Sequence, residues 1–126
     1  MPAIRVSKEL NDQTYFVTFT VRHWYNLFNK YNRWGILADM LTYYQKLGQL
    51  KIYGYVFMLN HLHLIVQPSD VAGFLRNFKS YTAQLMIQGI KRYEPSILSS
   101  FCTKNGEFQV WQKTNMPIPI FTEKIF

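Results

Sequence analysis

The sequence predicts an α+β domain of the ferredoxin-like kind, ordered β-α-β-β-α-β, with a mainly antiparallel sheet and its helices on one face. Three observations predict it. Residues 14–22, 50–58 and 61–67 are alternating runs rich in β-branched and aromatic side chains. Residues 35–47 and 71–85 place apolar side chains at helical spacing. Between the second and third runs lies a turn short enough to close a hairpin.

In the first strand, Tyr15, Val17, Phe19 and Val21 alternate with Phe16, Thr18 and Thr20. A loop rich in Asn and aromatic residues follows, from His23 to about Trp34. In the first helix Ile36, Leu37, Met40, Leu41, Tyr44 and Leu47 recur on one side, and Gly48 supplies a stop. The second strand sets Tyr53, Tyr55 and Phe57 on one face, Leu59 and Asn60 turn the chain, and Pro68 closes the third strand. Ser69 or Asp70 caps the second helix. Its core face is Val71, Phe74, Leu75, Phe78, Thr82 and Leu85, and it fades near Gly89. Residues 96–106 read as a loop and 108–112 as the last short strand. Pro117 and Pro119 break regularity, and 121–126 resemble the start of another helix.

A chain of 126 residues fits one domain, 1–126, and 48% hydrophobic residues suffice for a packed core. No run approaches the roughly 18 apolar residues of a membrane span. The start of the chain lacks the apolar stretch of a signal peptide. One cysteine, Cys102, cannot form an internal disulfide, so a reducing, cytoplasmic setting is expected. Fourteen Lys and Arg against seven Asp and Glu give a formal charge of +7, a bias that suits a polyanionic partner.

The third strand carries the chemistry. Residues two apart on a strand share a face, so His61 and His63 project together, opposite Leu62, Leu64 and Val66. Two imidazoles about 7 Å apart at their Cα atoms can converge on one divalent cation. The same two residues also suit a plain solvated sheet face, and a complete metal site needs at least one more ligand.

The stretch Tyr55-Val56-Phe57-Met58-Leu59-Asn60-His61-Leu62-His63-Leu64-Ile65-Val66 resembles the YVxMxNHxHLxV motif of the HUH-type tyrosine transposases. That group includes the REP-associated enzymes and small insertion-sequence enzymes that act on single-stranded DNA. Residues 15–21 look like the family's first strand. Residues 74–82 resemble its LxxFKxxT helix, and residues 110–118 its FWQxxNxPI segment. The resemblance runs in order through 14–126, and the histidine motif is its specific part. It implies binding of hairpin-forming single-stranded DNA, commonly as a homodimer. It also implies cleavage through a 5′-phosphotyrosine intermediate, with a divalent ion, Mg or Mn, held by His61 and His63.

Two departures stand out. Leu59 takes a position that is often Pro or Ser in the family. The family's nucleophilic tyrosine lies on a helix roughly two dozen residues beyond the tryptophan segment, followed one turn later by a further metal ligand. The sequence reaches Phe126 where that helix would begin, so the expectation is a transposase-like domain without its nucleophile. Tyr81, with Gln84 and Gln88 nearby, is the substitute the sequence offers, though packing against neighbours is the better reading of it. Arg22, Arg76, Lys79, Lys91, Arg92 and Lys113 are candidates for phosphate contacts, and His23, Trp24 and Tyr25 for stacking on unpaired bases. The alternative is a catalytically inactive remnant acting as a nucleic-acid-binding module. An RNA-binding ferredoxin-like domain fits less well, because the Lys/Arg-Gly-Phe type strand of that class is missing.

Overall fold

The computed structural model describes residues 13–113 and 117–120. Its elements run β1 (Tyr15–Thr20), α1 (Arg33–Lys46), β2 (Leu50–Phe57), β3 (His61–Pro68), α2 (Val71–Tyr93) and β4 (Ile118–Pro119). Short 3₁₀ turns occupy Arg22–Trp24 and Pro95–Phe101. The sheet order is β2-β3-β1-β4 and each pairing is antiparallel, which is the ferredoxin-like arrangement expected.

Alternation along the two central strands separates two faces. Tyr15, Val17 and Phe19 of β1 and Leu62, Leu64 and Val66 of β3 are buried, and they receive α1 and α2. Phe19 meets the rings of Phe74 and Phe78 from α2 and of Trp111 beyond it. Trp111 donates its indole N–H to the Thr82 hydroxyl at 3.0 Å, so the buried polar edge of that ring is satisfied. The opposite face, bearing Phe16, Thr18, His61, His63 and Ile65, is only half-buried.

Both helix boundaries have local causes. Asp70 caps α2 by accepting from the Gly73 amide at 3.1 Å, so of the two cap candidates it is Asp70 that serves. A Cβ on Gly73 would meet the Asp70 carboxylate, which would have to shift out of this cap geometry. Gly48, with φ +74, lets the chain leave α1 through the left-handed region.

Several expectations are corrected. The core ridge of α2 continues through Phe78, Thr82, Met86 and Ile90, four residues apart, so Met86 is inside and Leu85 is 42% exposed. Burial of Ile87 and Ile90 carries the helix past Gly89 to Tyr93. The stretch read as a loop contains the 3₁₀ turn Pro95–Phe101, whose Phe101 is fully buried. Residues 108–112 make only isolated bridges, Phe108 to Cys102 and Trp111 to Val21. The fourth strand is Ile118–Pro119 instead, on the outer edge of β1, where a proline is tolerated because the edge leaves its missing N–H without consequence. Tyr53 does not share a face with Tyr55 and Phe57. A register shift between Ile52 and Gly54 sets it apart, and its hydroxyl donates to Gln67 at 2.8 Å. The helix expected over 121–126 lies outside the described residues. No helix among the described residues is long and apolar enough to cross a membrane.

Candidate metal and nucleic-acid face

His61 and His63 open β3 directly after the Met58–His61 turn, which is closed by the Met58 amide donating to the His61 carbonyl at 2.9 Å. The turn is anchored from both sides. The Val21 amide donates to the Asn60 carbonyl, and the Leu27 and Phe28 amides to that of Leu59. The histidines therefore stand on rigid backbone, as a precise site requires.

Their rings lie side by side, with centroids 4.9 Å apart and planes at 74°. Each has its Nδ1 engaged. His61 Nδ1 is 2.7 Å from Asn60 Oδ1, and His63 Nδ1 is 2.8 Å from the hydroxyl of Thr18, its cross-strand partner. The Asn60 amide nitrogen donates to the Trp24 carbonyl at 2.9 Å, which orients the carboxamide and leaves its oxygen for His61. A carboxamide oxygen can only accept, so the proton of neutral His61 sits on Nδ1 and its Nε2 carries the free lone pair. Phe16 stacks on His63 at 5.3 Å and 20°, and Trp24 lies edge-to-face with His61 at 6.1 Å and 70°. Burial, with His61 beside it, lowers the pKa of His63 and favours the neutral imidazole that a metal needs.

This donor set fits half of a divalent site. Imidazoles whose Nδ1 atoms are hydrogen-bonded are the arrangement found around bound metals. Among the described residues there is no cluster of three or more His, Cys, Asp and Glu side chains that could hold a metal, so the pair by itself offers two imidazole donors.

The Arg22–Trp24 turn borders the pair. His23 (φ 59, ψ 20) and Trp24 (φ 57) both occupy the left-handed region. This costs roughly 1–2 kcal/mol per residue and is unusual for a bulky ring. Arg22 donates its amide to Val110, is half-buried, and has one guanidinium nitrogen buried without a hydrogen-bond partner.

The other basic candidates lie elsewhere. Arg76, Lys79, Lys91 and Arg92 belong to α2, on the far side of the sheet from the histidines. Lys79 is half-buried and donates to the Gln112 carbonyl at 3.4 Å, and burial lowers its pKa. Lys91 lies over the Phe108 ring and Arg92 over the Tyr93 ring. Lys113 is exposed and follows Gln112, whose amide donates to Thr20 at the His61 end of β1. Tyr81 is exposed on α2 and acts electrostatically on Tyr44 of α1, so the sheet stands between it and the pair.

Sequence reasoning named the two imidazoles but not Thr18 and Asn60, which orient them. Asn60 directly precedes the pair, and a polar residue there was a signal. The role of Thr18 depends on the β1–β3 register, which no local pattern gives.

The described residues therefore form a ferredoxin-like sheet whose face away from α1 and α2 carries the histidine pair. No family model and no curated protein matches the chain. Solved structures do. A REP-associated tyrosine transposase bound to a REP hairpin superposes with a TM-score of 0.65 at 17% identity, covering 98% of this chain and 65% of the other. A protein from Deinococcus radiodurans, provisionally assigned as a transposase, gives 0.62 at 14% identity, covering 98% and 89%. At these identities the likeness is one of fold, and the chain spans just under two thirds of the REP-associated enzyme.

Proposed function

We propose that this chain is a transposase-like domain of the HUH tyrosine family that binds hairpin or single-stranded DNA across the uncovered sheet face. The observation that carries this reading is the orientation of His61 and His63. Both Nδ1 atoms are held from behind by Asn60 and Thr18, on a fold shared with a hairpin-bound transposase. His61 and His63 would hold a divalent ion, Mg or Mn, which would supply Lewis acidity toward a phosphodiester. Asn60 keeps the His61 Nε2 unprotonated, Thr18 and Asn60 aim the two rings, Phe16 and Trp24 restrict ring motion, and Arg22 adds positive charge at the same end of the sheet. A homodimer and a cytoplasmic setting belong to the same reading.

The nucleophilic hydroxyl is not supplied by Tyr81, which faces away from the pair. Tyr15 is buried in the core, Tyr31 and Tyr93 stack on each other, and Tyr53 bonds Gln67. This chain is read as binding DNA, with no cleaving hydroxyl assigned among these tyrosines. Incubated with Mn²⁺ and a DNA hairpin, it gives salt-sensitive binding but no covalent adduct on a denaturing gel. His61→Ala with His63→Ala abolishes Mn²⁺ binding measured by electron paramagnetic resonance. A covalent adduct overturns the binding-only reading, and Mn²⁺ binding that survives the double substitution overturns the metal assignment.

A further inference from the structure

We propose that the Trp24 indole is the stacking platform for an unpaired base next to the phosphate at the histidine pair. This inference rests on the reading of the sheet face as a single-stranded DNA site.

Three aromatic residues follow Arg22, and the structure gives them different roles. Tyr25 turns inward, edge-on to the fully buried Phe101. His23 is exposed and forms the first left-handed step of the turn. Trp24 is 61% exposed, and exposure of that size leaves at least one indole face open. It nevertheless has a fixed place, with its centroid 6.1 Å from that of His61.

Trp24 is held there by its backbone rather than by burial. Its amide donates to the Val21 carbonyl at 3.0 Å, and its carbonyl accepts from the Asn60 side chain at 2.9 Å. The oxygen of that same carboxamide orients His61. One side chain therefore fixes both the metal-ligand nitrogen and the position of the indole. Two consecutive left-handed non-glycine residues place a large apolar ring largely in solvent beside the pair, while the next residue, Tyr25, turns inward. An open aromatic face beside a phosphate-binding point, in a chain of net charge +7, matches the chemistry of base stacking on single strands. Base stacking tolerates any base, so Trp24 contributes affinity and placement rather than sequence choice.

The test uses the full chain and a fluorescein-labelled DNA hairpin with a single-stranded thymidine flank. Trp24→Ala is expected to weaken binding by about 5- to 150-fold, and Trp24→Phe to restore it to within about threefold. Mn²⁺ binding is retained in both. On a hairpin whose flank is abasic, wild type and Trp24→Ala bind alike. Tryptophan emission is quenched by DNA in Trp34→Phe but not in Trp24→Phe. If wild type fails to bind either hairpin at low salt, the nucleic-acid reading falls and takes this inference with it. If wild type binds and Trp24→Ala binds equally well, only the platform is overturned. Equal losses in the Ala and Phe variants together with lost Mn²⁺ affinity mean that the turn has collapsed, which also overturns it.

Discussion

The two faces of the sheet are written by the same two central strands, yet they are determined differently. On the covered face, Tyr15, Val17, Phe19, Leu62, Leu64 and Val66 are fixed by close contact with two helices, and each position is supported many times over. On the uncovered face, the positions of His61, His63 and Trp24 depend on a few hydrogen bonds through Thr18 and Asn60. The lesson is that the covered face holds most of the stability and the uncovered face most of the chemistry. Mutations in the two should therefore separate.

The largest effect tests the covered face. Phe19→Ala removes a fully buried ring that meets Phe74, Phe78 and Trp111. It should cost about 3–5 kcal/mol, read from urea unfolding. A loss below about 1 kcal/mol would mean that the helices do not depend on this face as described.

Asn60→Ala tests the uncovered face. It should lower divalent-ion affinity about 10- to 100-fold, the usual effect of deleting a residue that orients a ligand. Folding stability should change by no more than about 1 kcal/mol, read in the same urea experiment. A large stability loss would erase the separation between the faces.

The smallest effect is a pH dependence. The pKa of His63 is lowered in the fold by burial and by His61, so the unfolded chain takes up its proton more readily. The stability it contributes is complete above the ordinary histidine value and is lost as pH falls through the folded one. The urea midpoint of metal-free protein should therefore fall between about pH 7.5 and about pH 5, and His63→Gln should flatten that slope. An unchanged slope in the variant would place the titration on another residue.

The covered face was legible because its signal is local. Alternation around Val17 and Leu64 and the helical spacing around Phe78 are properties of short windows, and they sufficed for the element order and for the shared face of His61 and His63. Register and phase were not legible. Met86 rather than Leu85 turns inward because α2 follows a four-residue ridge against its neighbours, which only the packing decides. The last strand was misplaced because Ile118–Pro119 carries little strand signal and is held by the edge of β1. Thr18 was overlooked because it matters only when opposite His63. The separation of the α2 cations from the histidines was invisible too, since it follows from the layer to which each element belongs.

The displaced Tyr53 has a consequence for solubility. β2 is eight residues long and forms one margin of the sheet, a shape that invites another chain to zip onto it. The extra residue between Ile52 and Gly54 breaks the regular rhythm of backbone donors and acceptors, and Lys51 beside it adds a charge that a docking strand would have to desolvate. This margin is thereby guarded against fibre-like stacking while the uncovered face stays open for its work.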